Sequence, residues 1–354
     1  FKILAGALVV GFFCYGLSIV LYITAALILG AIRSQILFSS APFFGAFFSV
    51  LLLSERLSWI QLVAALILAV SIVILGIILY WNRKLMKAKK QISLLNQKMQ
   101  DSIEYAALIQ QTLIPDHQLF TQYCEDYFVI WKPRDVVGGD IYFLESISAD
   151  KMILMVVDCT GHGIPGAFVT MLVKAIERQM IARTISTHEE VSPANMLGIF
   201  NRSMKHLLKQ EDDTSIANAG FDCGVLYYDR KQQLLKFAGA EVPLFIIQHG
   251  QIRVIKGDRQ SIGYKKSRVD YQYTDHSIPI DTTTCLYLAS DGFLDQNGGT
   301  KGFPFGKKRF KKLLEAHCHE PFEKQCTILQ LELQQYQKGT ETNDDITVVG
   351  IKVG

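Results

Sequence analysis

The sequence predicts an α+β fold: a β-sandwich flanked by helices, preceded by transmembrane helices and a coiled-coil linker. Three observations predict it. Charge is nearly absent from the first part of the chain. Of 36 basic and 33 acidic side chains in 354 residues, only Lys2, Arg33, Glu55 and Arg56 fall within the first 80. A seven-residue apolar rhythm follows. Beyond it, short apolar runs separated by turn residues meander and are interrupted by helical blocks.

The leading region, residues 1–82, holds three apolar runs, at about 4–29, 36–53 and 59–81. Each matches the roughly 20 residues that a membrane span requires. Arg83, Lys84, Lys87, Lys89 and Lys90 crowd the exit of the third run, which places that end, and everything after it, in the cytoplasm. The chain opens on Phe1 inside an apolar run without a charged leader, so a truncated or processed N-terminus with a span upstream is expected, not a signal peptide. The stretch APFFGAFFSVLLLSERLSWIQLVAALILAVSIVIL, with Pro42 ahead of Glu55, Arg56 and Leu57, resembles the closing helices of EamA-type drug/metabolite transporters. Such a transporter has many more spans than three, so this region is expected to anchor or to sense.

Residues 83–114 read as a linker helix. One seam is Leu85, Ile92, Met99, Ala106 and Leu113; its partner is Ala88, Leu95, Ser102 and Ile109. Lys, Gln, Asp and Glu fill the space between. That pattern predicts a parallel coiled coil and hence a homodimer. The alternative is one amphipathic helix lying on its own domain. Pro115 ends the helix.

Residues 115–354 supply the third part. The basic and acidic residues left after the apolar region nearly balance, which argues against a broad grip on nucleic acid. Seven cysteines without a C-x-x-C pair fit a reducing compartment better than a disulfide framework. Strands are expected at 141–144, 151–158, 221–229, 233–240, 243–248, 252–257, 284–291 and 345–353. Helices are expected at 167–183, 194–208, 307–316 and 322–337.

Four aspartates stand beside Gly or another Asp where these strands begin or end. Asp140 closes VVGGD, Asp158 leads into CTGHG, Asp291 follows CLYLAS, and Asp344 opens DDITVVG. Strand ends can aim side chains at a common rim, and neighbouring glycines let backbone and ligand come close. Oxygen donors without His or Cys pairs select hard cations such as Mg²⁺ or Mn²⁺. Each motif alone is weak, since D-G after a strand is most often a turn; their joint occurrence carries the signal.

PRDVVGGDIYF, VVDCTGHGIPGAF, LASDGFLD and NDDITVV, in that order, resemble the SpoIIE-like branch of the PPM-type serine/threonine phosphatases. SIEYAALIQQTLIP resembles the helical lead-in of that branch. The resemblance implies a PPM-type β-sandwich that hydrolyses phosphoserine or phosphothreonine, with two Mn²⁺ or Mg²⁺ and no covalent phospho-enzyme. It implies that Asp158 bridges the ions, that the Cys159 carbonyl is a ligand, that Asp140 reaches the second ion directly or through water, and that Asp291 and Asp344 hold the first. Asp345 is expected to support Asp344, with the reverse assignment open. By analogy the partner is a phosphorylated regulatory protein of the anti-sigma antagonist kind. Cys159 has no C-x₅-R after it, so a cysteine phosphatase is not expected. Arg134 is a candidate to meet the substrate phosphate, or else pairs with Asp135. His162 is a candidate general acid, or else orients its loop. Two rival readings are a catalytically silent partner-binding module and the regulatory tail of a transporter.

Overall fold

The central strands are apolar along their whole length, not alternately, because both of their faces are covered. In β3, Lys151–Cys159, the side chains of Met152, Leu154 and Val156 enter one core while Ile153, Met155 and Val157 enter another. β2, Asp140–Ser148, divides its residues the same way, with Tyr142 and Leu144 against Ile141 and Phe143. Successive side chains on a strand point to opposite faces, so a run buried throughout marks a sheet sandwiched between layers.

The structure, a computed structural model, describes residues 17–30, 34–35, 58–187, 190–211 and 217–353. Two five-stranded antiparallel sheets face each other. One runs in the order β1 (Asp126–Lys132), β12 (Ile346–Lys352), β9 (Cys285–Ala289), β6 (Leu244–Gln248), β7 (Gln251–Ile255). The other runs β2, β3, β4 (Phe221–Asp229), β5 (Leu234–Ala240), β8 (His276–Pro279). A small ribbon of β10 (Asn297–Gly298) and β11 (Phe303–Pro304) stands apart from both. Between the sheets, Leu144, Val156, Leu226 and Phe237 of the second share a core with Leu244, Ile246, Leu286, Leu288 and Val349 of the first.

Helices cover both outer faces. α4 (Gly163–Thr187) and α5 (Pro193–Leu207) lie over the second sheet, with Val173, Ile176, Phe200 and Met204 against Phe143, Met155 and Val225. α7 (Lys307–His317) and α8 (Phe322–Gln337) lie over the first, with Phe310, Leu314 and Leu329 against Phe128, Phe245 and Tyr287. Ser192 caps α5 by accepting from the Asn195 N–H, and Pro193 takes the first turn, where no N–H is needed. The result is the α+β sandwich that the sequence predicts. A short helix, α3 (His117–Tyr123), capped by Asp116, and the strands β1 and β8 are not among the expected elements.

The chain divides into two compact units, Phe1–Gln97 and Lys98–Gly354. In the first, the described residues form α1 (Leu17–Leu29) and most of α2 (Trp59–Gln111). The expected span at 36–53 lies outside the described residues. Among the described residues one helix, α2, is long and apolar enough to cross a membrane. The third apolar run and the linker therefore form one unbroken helix. Leu85, Ile92, Leu95 and Met99 of the heptad seam are exposed on it, whereas Leu113, beyond its last residue, packs on the core under α4 and α5.

One buried charge cluster ties α4 to its sheet. Lys174 lies 2.6 Å from Glu145 on β2 and 3.0 Å from Glu177, and its ammonium stands 4.5 Å from the centre of the Phe143 ring. Burial pushes Glu177 up to about 7, against the opposing pull of Lys174. Between its ordinary value near 4.5 and about 7, the folded chain holds a proton that the unfolded chain has released. Stability therefore falls as pH rises through that window. Glu177→Gln should gain stability relative to the parent between about pH 5 and pH 8, as read from denaturant midpoints. Separately, Phe245 is fully buried against Phe310, so Phe245→Ala should cost about 3–5 kcal/mol. Phe303→Ala, at an exposed ring, should change the same midpoint by less than about 0.5 kcal/mol.

Candidate active site

The two sheets bring their aspartates together at one end of the sandwich. In the β2–β3 ladder Asp140 sits directly opposite Asp158, and in the β3–β4 ladder Asp158 sits opposite Asp222. From the other sheet, Asp291 opens α6 (Asp291–Leu294), two residues after β9, and Asp344 stands two residues before β12. Asp291 is thus in a helical first turn and not on the strand itself.

Glycine makes the close approach possible. A Cβ on Gly139 would run into the carbonyl oxygen of Gly161, and one on Gly292 would run into the Asp345 carbonyl. The GGD motif thus lets the loops at the ends of β2 and β3 touch, and the DG motif those of β9 and β12.

The neighbouring hydrogen bonds sort the carboxylates. Asp140 is 2 % exposed, and its Oδ2 accepts from the Ser290 hydroxyl at 2.5 Å. Asp345 is equally buried, and both its oxygens are committed: Oδ1 accepts from the Arg134 N–H at 2.6 Å, Oδ2 from the Gly139 N–H at 2.5 Å. Among the described residues Asp344 accepts one such bond, from the Asp345 N–H to its Oδ1 at 2.8 Å. Asp345 therefore braces the loop, and Asp344 retains lone pairs for a ligand.

Burial pushes Asp158 well above the usual carboxylate range, and the charges of Asp140, Asp291, Asp222 and Asp344 push it further. Burial does the same to Asp140, opposed by the hydroxyls of Ser290 and Thr347. Asp291 is raised by burial and by Asp344, and is relieved in part by a hydrogen bond with Asp158 and by Lys307. A divalent cation would relieve this repulsion. Among the described residues no three His, Cys, Asp or Glu side chains stand grouped so as to hold a metal ion between them. Mg²⁺-type ions commonly take one or two carboxylates and keep several waters, so the donor set fits such an ion.

A pocket of about 190 Å³ opens on this cluster, lined by Asp158, Asp222, Glu241, Asp291, Asp295 and Lys307, among others. Lys307, Asp222 and Glu241 are not among the sequence candidates. Asp222 stands near a strand start as Asp140 does, so the same signal could have found it; Lys307 carries no local signal. Neither Arg134 nor His162, the candidates for phosphate binding and proton transfer, is among the residues lining this pocket. Arg134 donates through Nη1 to the Asn343 carbonyl at 2.8 Å and does not pair with Asp135. Asp135 instead meets His162 Nδ1 at 2.9 Å, on an exposed edge. Cys159 is buried, and burial with the adjacent Asp158 charge pushes its thiol well up, which removes it as a nucleophile.

Behind the cluster, Gln110 in the last turn of α2 is buried. Its amide donates to the Gly138 carbonyl at 2.7 Å and to the Thr170 hydroxyl at 3.2 Å, and its oxygen accepts from the Gly138 N–H at 3.2 Å.

The model of the Stage II sporulation protein E (SpoIIE) family matches residues 148–354. The chain belongs to the SpoIIE family. It is a protein serine/threonine phosphatase, of the PPM class that the sequence motifs resemble. Among solved structures, the SiaA-PP2C domain of Pseudomonas aeruginosa is 36% identical, with TM-score 0.65, covering 73% of this chain and 98% of that one. The RsbU and RsbW domains of a Mycobacterium tuberculosis protein share the fold at 16% identity and TM-score 0.50, covering 66% and 61%. No curated protein matches the sequence. Residues 2–77 match the model of the EamA-like transporter family.

The unequal bonding of the paired aspartates has a measurable consequence for this SpoIIE-family phosphatase. Asp345→Ala should lower stability by about 2 kcal/mol or more, since it strips two charged hydrogen bonds from buried N–H groups. Asp344→Ala should cost clearly less in the same denaturant titration. Equal losses would contradict the division of roles.

Proposed function

We propose that the chain is a membrane-anchored phosphatase that removes phosphate from serine or threonine of a regulatory partner protein, using two Mn²⁺ or Mg²⁺ ions. The observation that carries this reading is the meeting of Asp140 and Asp158 from one sheet with Asp291 and Asp344 from the other, a cluster of like charges that favours cations. In this reading Asp158, the Cys159 carbonyl, Asp291, Asp344 and Asp140 would hold the ions, with Asp158 central to the set. The ions supply an activated water and neutralise charge on the phosphoryl oxygens.

The chain's own residues do the rest. Ser290 keeps Asp140 oriented, and Asp345 holds the Gly139 loop. Lys307 lines the pocket, which supports it, beside Arg134, as a candidate cation for the substrate phosphate. His162 is better read as a partner of Asp135 that orients its loop than as an acid at the reacting atoms. The apolar helix supports membrane anchoring with the phosphatase part in the cytoplasm, as the basic cluster after residue 82 suggests, and the exposed heptad residues support a homodimer. A partner of the anti-sigma antagonist kind rests on analogy alone.

Asp158→Ala in the full chain should abolish Mn²⁺-dependent phosphate release from a phosphoserine peptide and weaken Mn²⁺ binding measured by calorimetry. Retained turnover would sink the two-ion reading. A wild-type chain that binds Mn²⁺ yet releases no phosphate would favour the silent-module reading instead.

A further inference from the structure

A second cleft, of about 410 Å³, lies beside the aspartate pocket and is lined in part by Asn218, Glu241, Arg259, Ser261, Tyr264 and Lys266. The two cavities share a wall. Glu241 lines both. The Tyr264 hydroxyl accepts from Thr160, two residues after Asp158, at 2.6 Å.

The cleft's floor is the loop 259–268, and buried polar groups hold that loop from beneath. Lys205, 3 % exposed, donates to the carbonyls of Tyr264, Lys265 and Ser267 at 2.9, 3.0 and 2.7 Å. Asn201 accepts from the Gly263 N–H at 2.9 Å and donates to the Arg268 carbonyl at 2.8 Å. Gln210 donates to the carbonyls of Ala219 and Gly263, both at 2.7 Å. Among the described residues Lys205 has no carboxylate within ion-pair distance. Burying an ammonium costs several kcal/mol unless its surroundings satisfy it, so the loop is a fixed platform with a cation built into its base.

The platform's surface is also basic. Arg259 and Lys266 are exposed and, among the described residues, neither forms an ion pair. Arg268 is offset by Asp270 at 3.3 Å. Unpaired cations on a rigid loop, next to a site that acts on a phosphorylated side chain, are complementary to negative charge along the substrate chain.

We propose that this cleft docks an acidic segment flanking the phosphorylated residue of the protein substrate. The proposal rests on the phosphatase reading above and names the chemistry of its substrate. Arg259 and Lys266 receive the flanking Asp or Glu side chains while the phosphate enters the pocket of Asp158 and Lys307.

The test uses the full chain in detergent with Mn²⁺ and phosphoserine peptides that differ only in having acidic or neutral flanks. The wild type should favour acidic flanks by about tenfold in kcat/KM, as two exposed ion pairs allow, and added salt should shrink the preference. In the Arg259→Glu/Lys266→Glu variant that ratio should fall to one or below. A wild-type ratio of one, or an unchanged ratio in the variant, overturns the proposal. Should the reversal variant fail to fold, Arg259→Gln/Lys266→Gln gives the same reading with a smaller change. Fluorescence anisotropy of an unphosphorylated acidic peptide supplies the arm that does not need turnover. Binding lost on charge reversal supports docking even if no phosphate is released, which would count against the phosphatase reading alone. Binding equal in wild type and variant counts against docking alone.

Discussion

The mutual repulsion of clustered carboxylates sets the terms for the rest of this fold. Asp140, Asp158, Asp291 and Asp344 come from two sheets and meet at one rim, and neighbouring negative charge adds to the cost of ionising Asp140, Asp158 and Asp291. Everything nearby answers that cost. Ser290 donates to Asp140, backbone N–H groups occupy Asp345, and Lys307 stands against Asp291. Like charges held this close are stable only when a rigid scaffold leaves them no escape, and two sheets covered on both faces provide that scaffold.

Much of that scaffold could be read from the residues. The strand Phe221–Asp229 and the helix Phe322–Gln337 fall where the apolar pattern puts them, because each is long and buried on a regular period. The helix His117–Tyr123 escaped because seven residues carry too little periodicity, and its stability comes from Phe120 stacking on Tyr127 and from the Asp116 cap. The strand His276–Pro279 is four residues long and is defined by its neighbour β5.

The site was legible to a different degree. The aspartates announced themselves by their glycine neighbours and their place at strand ends. Which of Asp344 and Asp345 has free oxygens could not be read from two adjacent identical residues; it depends on the loops at Arg134 and Gly139, 211 and 206 positions away in the chain. Arg134 and His162 stand in the motifs, but the groups their side chains meet, the Asn343 carbonyl and Asp135, are set by the tertiary fold. Lys307 reaches the pocket from the start of a helix that only the tertiary fold carries there.

Gln110 bears on where the catalytic part begins. A boundary at Pro115 follows the helix end, yet Gln110 satisfies the N–H and carbonyl of Gly138 and the hydroxyl of Thr170, all of them buried. Removing it would strand those groups at about 1–3 kcal/mol each. In the accounting of buried hydrogen bonds, the last turn of the long helix is an internal part of the catalytic domain, and a self-sufficient fragment has to start upstream of it.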